Sequence, residues 1–431
     1  MSLTQEQKVS QPLPFKGETR DTPFSQAVLT LLSGNVVAQM LPYLATFLLA
    51  RLYKPSAFGY FALFTSISTA AAIAATGRYE LAIPMPKKEN DANSLALVAG
   101  LMSIGFSLVT GLVILIASLN WPSIKYWLSS SLSLPMAILA IAIYQILSYW
   151  FLRHGQYRTI SNTRFIQSGT TVLVSLIAGA LGLQFGLVLG YVTGWLAGAG
   201  CYLILVRRGS QFAIRPAVTG LKRNAILFYH QALYGVIPAL LDSVSFFTII
   251  FIINHHYGSD YVGQFSLSRQ FAYGPVSLIA GAIGQVLLRE SSKRLRQNQS
   301  DESLFRQVTR YLLAASAVYT PILIIASPTL FSIIFGSRWH IAGELTAVLA
   351  IGYGIRLVVS TLSSLLLSHR AYRVNGAWQA SYFLIINCLY FFHPENPVTF
   401  FITLTFFDFM LFGLYFILIR FVVTSKYLIE N

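Results

Sequence analysis

The basic residues of this 431-residue chain are sorted along its length, and the sorting restricts how the chain can cross a bilayer. Apolar runs of roughly twenty or more residues, enough to span a hydrocarbon core, recur about twelve times. They cover residues 24–50, 57–76, 94–119, 132–152, 163–183, 186–206, 225–253, 260–288, 309–335, 342–368, 374–392 and 398–420. Of the 30 Lys and Arg residues, 24 fall in one alternating set of connections and termini. The other set holds only Arg51, Lys54, Lys125 and Arg338, while Arg269 and Arg356 lie inside apolar runs. Cytoplasmic loops retain Lys and Arg, and translocated loops do not. An error of one span in the middle would scramble this partition. Both termini are therefore expected in the cytoplasm, and the number of spans is even.

Composition agrees. The chain is 55% hydrophobic and 10% charged, with a mean hydropathy of +0.62, whereas soluble domains carry about a quarter charged residues. The net charge of +15 is accounted for by the topology signal rather than by a nucleic-acid surface. The fold is expected to be all-helical. Lipid satisfies no open backbone group, and these runs are too long and too evenly apolar for barrel strands. Cys201 and Cys388 fall within spans, and no Cys/His spacing resembles a metal site. Residues 1–23 are polar, contain Pro12, Pro14 and Gly17, and read as a disordered cytoplasmic tail.

An internal repeat divides the chain. The first hairpin reads Tyr53-Lys-Pro-Ser-Ala-Phe-Gly59-Tyr-Phe61-Ala-Leu63, and the hairpin between spans seven and eight reads Tyr257-Gly-Ser-Asp-Tyr-Val-Gly263-Gln-Phe265-Ser-Leu267. Tyr, Gly, Phe and Leu recur at a constant offset of 204 residues. Both copies sit at the first turn of a six-span half, so the repeat is parallel. The expected organisation is a six-helix bundle over 24–206, a basic linker over 207–224 and a second six-helix bundle over 225–424, enclosing a central cavity. Glycine at each helix entry permits close helix approach.

Charges within spans are costly and mark candidate sites. They are Asp242, Arg269, Arg356 and Asp408; Arg51 and Arg78 with Glu80 stand at helix ends. Asp242 and Arg269 are equidistant from the turn at His255-His256, each roughly 12–17 Å below it. Two readings fit: a self-neutralising ion pair, or a cavity-facing pair in which Arg269 binds an anionic head group while Asp242 competes for it or takes a proton. Span one carries Asn35, Gln39 and Tyr43 on one face. Span seven carries Tyr234, Pro238 and Asp242, and span eight Gln264, Arg269, Tyr273 and the breaker Gly274-Pro275. Spans one, two, seven and eight thus hold much of the polar inventory, consistent either with interhelical hydrogen bonds or with a hydrated cavity. Arg356 and Asp408 differ in depth by about a turn, so pairing is allowed but not implied. Arg78, Lys87 and Lys88 form a basic mouth suited to anionic head groups or a diphosphate. No phosphate-binding glycine loop, His-Glu-x-x-His or Gly-x-Ser-x-Gly is present, so no enzyme motif emerges.

Leu49-Ala-Arg51, the Phe58-Gly59-x-Phe61 turn, and Arg78-Tyr79-Glu80 followed by a short polar segment resemble the opening hairpin of Wzx-type polysaccharide flippases. These belong to the polysaccharide transporter family of the multidrug/oligosaccharidyl-lipid/polysaccharide exporter superfamily. The resemblance implies a multi-pass protein of the bacterial inner membrane that moves undecaprenyl-diphosphate-linked repeat units to the outer leaflet by alternating access. Such repeat units feed O-antigen, capsule or exopolysaccharide assembly. It also implies a cavity lined by helices one, two, seven and eight, here offering Arg269, Arg78 and Arg51 offset by Asp242. No cofactor is implied. Coupling to H⁺ or Na⁺ would fall to Asp242 or Asp408, and glycan polymerase and chain-length proteins would be partners. Two further helices, found in fourteen-span lipid-linked peptidoglycan precursor flippases, are absent from this pattern. The rivals are a multidrug/cation antiporter of the same superfamily, disfavoured by few embedded carboxylates, and an integral-membrane glycan polymerase or ligase, disfavoured by short translocated connections. A non-transporting scaffold of a glycan assembly complex also fits the residues.

Overall fold

A computed structural model describes residues 40–120, 133–208, 220–297, 299–369, 371–391 and 394–429, a few side chains including that of Tyr234 excepted. The expected tail, Asn35, Gln39 and residues 209–219 of the expected linker lie outside the described residues. Every regular element among the described residues is helical. Among the described residues, nine helices have the length and hydropathy of a membrane span. Three more complete the twelve: α1, described from Met40 to Leu52, α5 (Tyr157–Ala180) and α11 (Tyr372–Cys388). The others are α2 (Pro55–Thr76), α3 (Glu89–Asn120), α4 (Ser133–Arg153), α6 (Gly186–Arg208), α7 (Tyr229–Tyr257), α8 (Ser259–Arg296), α9 (Glu302–Phe335), α10 (His340–Leu362) and α12 (Pro397–Ile429). Each matches one apolar run of the sequence.

Connections at one end of the helices carry the basic residues; the other end is nearly free of them. We refer to these as the basic and the neutral end. At the neutral end the turns are tight. Pro55 opens α2, where its fixed φ suits the helix and its missing N–H is no loss. Gly258, alone between α7 and α8, takes φ 87° and ψ 169°, a conformation that a side chain would strain. A tyrosine just before each of these helix starts pins its own half. Tyr53 Oη donates to the Ser175 carbonyl of α5, and Tyr257 Oη donates to the Pro394 carbonyl before α12, both at 2.7 Å.

At the basic end the structure departs from expectation. The connection read as residues 289–308 is mostly helix: α8 runs on to Arg296 and α9 begins at Glu302. At 1.5 Å per residue α8 is about 57 Å long, far more than a hydrocarbon core of about 30 Å. Its end therefore stands in water, where the i,i+4 pairs Glu290–Arg294 and Glu302–Arg306 support the exposed turns. A buried cluster ties this projection to the lobe. Asp301 accepts a hydrogen bond from the Ser291 hydroxyl and lies 3.0 Å from His369 Nε2, and all three residues are buried.

Within the first half α5 packs on α6 and α3 and α6 on α4; within the second, α10 packs on α8, α9 and α12. The halves meet where α2 lies against α7 and α8. At the neutral end of that seam the repeat becomes a contact. A Cβ on Gly59 would stand 2.0 Å from the Ser259 carbonyl oxygen, and one on Gly263 would stand 1.8 Å from the Pro55 carbonyl oxygen. Gly59 and Gly263 are repeat mates, and so are Pro55 and Ser259. The contact is therefore reciprocal, related by a local pseudo-twofold axis. Around it Trp339, fully buried, donates from Nε1 to the Ala50 carbonyl at 2.8 Å and meets the Phe58 ring edge-on at 5.0 Å. Phe47 stacks on Phe335 at 5.4 Å.

Gly59→Ala and Gly263→Ala each force a methyl into a main-chain carbonyl. Each is expected to lower stability by about 1–3 kcal/mol and to reduce cross-linking of cysteines introduced across the seam. Gly105→Ala, which meets nothing within 4 Å, is expected to do neither. Thermal unfolding and disulfide trapping of the purified protein check both outcomes.

Candidate functional site

Midway along the seam stands Arg269 of α8. Its guanidinium lies 3.6 Å above the Phe246 ring of α7 and 5.5 Å from the Tyr273 ring, one turn further along α8. Cation–π contact of this kind holds a guanidinium in an apolar setting without consuming its charge. Among the described residues Arg269 has no carboxylate within 4.0 Å. Asp242, expected beside it, is exposed on α7 and acts on it only at longer range. The neighbourhood of Arg269 also includes Tyr43 of α1 and Tyr353 of α10.

The second embedded arginine is spent differently. Arg356 of α10 donates to both oxygens of Asp408 on α12, at 2.8 and 2.9 Å from Nη2 and 3.2 Å from Nε. Tyr382 of α11 closes the triad. Its hydroxyl accepts from Arg356 Nη2 at 2.6 Å and donates to Asp408 Oδ1 at 3.0 Å. The Phe412 ring lies 4.7 Å from the guanidinium. Asp408 is thus buried, with its charge balanced by Arg356 and both oxygens engaged by Arg356 and Tyr382. Tyr273 sits between the two cations, 5.6 Å from Arg356, and stacks on Tyr353 at 5.8 Å.

The remaining candidates separate by location. Tyr43 meets Phe271 edge-on at 6.2 Å, and its hydroxyl occupies the space a Cβ on Gly274 would need, so it contributes to joining α1 and α8. Beside it Gln270 of α8 donates to the Thr46 hydroxyl of α1 at 2.9 Å, an inter-lobe bond that no sequence pattern indicated. Gln264 is buried and committed to backbone. It donates to the Arg338 carbonyl at 2.7 Å and accepts from the Ala342 amide at 2.9 Å. Both bonds tie α8 to the connection before α10 and to its first turn. Arg51 lies at the neutral end, reaching the Ile334 carbonyl at 3.5 Å.

At the basic end, Arg78 takes φ 57°, the one positive φ outside glycine among the described residues. It is followed by a 3-10 turn, Tyr79–Ala82. The turn tucks beneath α7, where a Cβ on Gly235 would meet Leu81 at 3.2 Å and Arg78 Cβ at 3.4 Å. Glu80 is thereby fully buried, 3.7 Å from the Arg78 guanidinium. Burial pushes its carboxyl above the usual range, opposed by its own amide, by Thr76 and by Arg78.

Residues 48–343 match the polysaccharide biosynthesis protein family. The chain belongs to that family. Comparison with curated protein sequences returns no match. Solved structures share the fold at low identity. A multidrug resistance MATE family transporter of the MOP superfamily, in an inward-facing conformation, is 12% identical, with 90% of this chain and 95% of that one aligned at a TM-score of 0.73. The lipid II flippase MurJ in an inward closed conformation is 11% identical, over 93% of this chain and 99% of its own, at 0.62. A MOP superfamily transporter from Pyrococcus furiosus, described as having a binding pocket of reversed polarity, is 12% identical, over 93% and 95%, at 0.57. The fold of this polysaccharide biosynthesis family member is accordingly the two-lobed, all-helical membrane transporter fold.

Asp408→Asn removes the counter-charge of a buried guanidinium and is expected to cost about 3–5 kcal/mol. Replacing both partners with apolar residues, as in Arg356→Met with Asp408→Leu, is expected to restore most of that loss. Thermal unfolding of the three proteins in detergent checks the contrast.

Proposed function

We propose that this protein is a flippase for polyprenyl-diphosphate-linked oligosaccharides in the bacterial cytoplasmic membrane, working by alternating access. The observation that carries the reading is Arg269, a cation at the lobe seam with no carboxylate within ion-pair distance among the described residues, in a chain of the polysaccharide biosynthesis family. A diphosphate cannot cross hydrocarbon bare, since an isolated charge there costs tens of kcal/mol before relaxation. A guanidinium that is fixed by aromatic faces and still charged provides two donors in the geometry phosphate oxygens accept.

By the positive-inside rule the basic end faces the cytoplasm. The reciprocal glycine contact then closes the outer side, and the lipid head group would enter from the inner leaflet. The sugars would occupy the space between the lobes while the polyprenyl chain stays in lipid. Rocking of the lobes would exchange the outer seal for an inner one. Asp242, exposed near Arg269, remains the candidate among the embedded carboxylates for H⁺ or Na⁺ coupling. A cation antiporter is less well supported, because the buried Asp408 is already neutralised. Supply of repeat units for O-antigen, capsule or exopolysaccharide, and contact with a polymerase and chain-length proteins, would follow from the same activity.

Transbilayer movement of a labelled lipid-linked oligosaccharide in proteoliposomes is the test. Arg269→Ala is expected to slow it about tenfold or more, the equivalent of one or two charge-assisted hydrogen bonds, and Arg269→Lys to retain part of the rate. An unchanged rate in folded Arg269→Ala protein would remove this residue from the mechanism. Absence of transport by the wild-type chain would remove the flippase reading.

A further inference from the structure

The polar inventory above leaves one buried charge unused. Glu80 is fully buried, and among the described residues neither carboxylate oxygen has a partner at hydrogen-bond geometry. Arg78 stands 3.7 Å away, beyond hydrogen-bond distance, and its Nε is likewise buried without a partner. A carboxylate and a guanidinium that met freely would close to a bidentate pair at about 2.8 Å. These two are held apart by the backbone between them, which passes through the left-handed conformation at Arg78.

Its own amide and the Thr76 hydroxyl act on the carboxyl without reaching hydrogen-bond geometry, and among the described residues the surroundings supply no further partner. The turn that carries Glu80 packs against α3, α4 and α7. From α4 comes the Tyr149 hydroxyl, and from α7 Tyr229, which acts on neighbouring Tyr79. On α3 Glu89 is engaged by Arg153 and His154 at 3.2 Å, and Asp91 by Arg223 at 2.9 Å. Among the described residues the full charge acting on Glu80 is that of Arg78. The Arg78 side chain is 23% exposed and borders the connection that carries the exposed Lys87 and Lys88.

We infer that Glu80 is a proton-binding guard on Arg78: charged, it retains the guanidinium, and protonated, it releases Arg78 to take a phosphate oxygen of the incoming head group at the basic end. The inference rests on the flippase reading for the identity of the anion, and on the burial and missing hydrogen bonds of Glu80 for the guard. One proton passes from water at the basic end to the carboxylate as the anion takes the guanidinium. A lipid head group and a free diphosphate share this chemistry. Binding linkage is reciprocal, so if the anion promotes protonation, acid promotes anion binding.

The experiment uses the full chain in nanodiscs with farnesyl diphosphate as probe and inorganic diphosphate as a second arm. Affinity of the wild type is expected to rise as pH falls from 8 to 6, by up to about tenfold per pH unit, the limit for one linked proton. Calorimetry in buffers of different ionisation enthalpy is expected to show uptake of up to one proton on binding. Glu80→Gln is expected to bind tightly at both pH values without proton uptake, and Arg78→Ala to lose the affinity at both. Equal affinity for the two probes assigns the site to free diphosphate, and preference for the isoprenoid assigns it to a lipid head group. A pH dependence that survives in Glu80→Gln overturns the inference.

A second measurement needs no ligand. A carboxyl raised above its ordinary 4.5 lends stability that is present below that value and is lost as pH rises through the folded-state value. The wild-type unfolding temperature is thus expected to fall over that window relative to Glu80→Gln. Parallel profiles would overturn the guard even if the probe binds. Failure of the wild type to bind either probe at any pH would instead overturn the head-group reading, leaving the unfolding profiles to decide whether Glu80 is protonated in the fold.

Discussion

The two lobes touch where neither has a side chain. Gly59 meets the carbonyl of Ser259, and Gly263 meets the carbonyl of Pro55. Without hydrophobic driving force between helices in lipid, association rests on close van der Waals contact and on hydrogen bonds. Backbone-to-backbone approach is the closest available. The aromatic groups around it, Trp339 on Phe58 and Phe47 on Phe335, fill the space the glycines leave. Because the contact is made by repeat mates, one sequence motif provides both faces of the seal. Each copy is also pinned to its own lobe by the tyrosine that opens it, Tyr53 or Tyr257. The hairpins are thereby parts of the lobes rather than hinges between them, which suits motion of each lobe as a body.

The embedded charges divide into structural and available. Arg356, Asp408 and Tyr382 bind one another and link α10, α11 and α12. A satisfied triad of this kind costs about as much to desolvate as it returns, while losing one member is severe. Arg269 is positioned by rings instead of carboxylates, so its charge is not cancelled at contact. The same distinction separates Glu89, engaged by Arg153 and His154, from Glu80, whose oxygens have no partner at hydrogen-bond geometry among the described residues. Ion-pair geometry, more than the presence of a charge, decides which residues remain open to a ligand.

The spans were legible because each obeys a local rule: about twenty apolar residues in a row, bounded by breakers or charges. The Gly-x-Phe-x-Leu repeat marked two helix entries as places of close approach, but not that they approach each other. What remained hidden depends on helix rotation and crossing, which no window of sequence encodes. Arg356 and Asp408 lie 52 positions apart and Tyr382 between them, and nothing local to any of the three announces the triad. Gln264 read as a polar group facing a cavity, yet it serves the backbone of the α9–α10 connection. Glu80 read as a helix-end charge beside the basic mouth. The 3-10 turn that buries it is placed by Gly235, more than 150 positions downstream. The connection at 289–308 was bounded only by the apolar runs on either side, and most of it continues their helices.

The reciprocal glycine contact has a consequence for how the protein responds to its surroundings. It is made from main-chain amide groups, which carry no titrating proton and no net charge. Salt does not screen such a contact and acid does not loosen it. Whatever the compartment on that face does in ionic strength or acidity, this junction has nothing with which to sense it, so any responsiveness of the cycle to its medium must be read from groups elsewhere in the molecule.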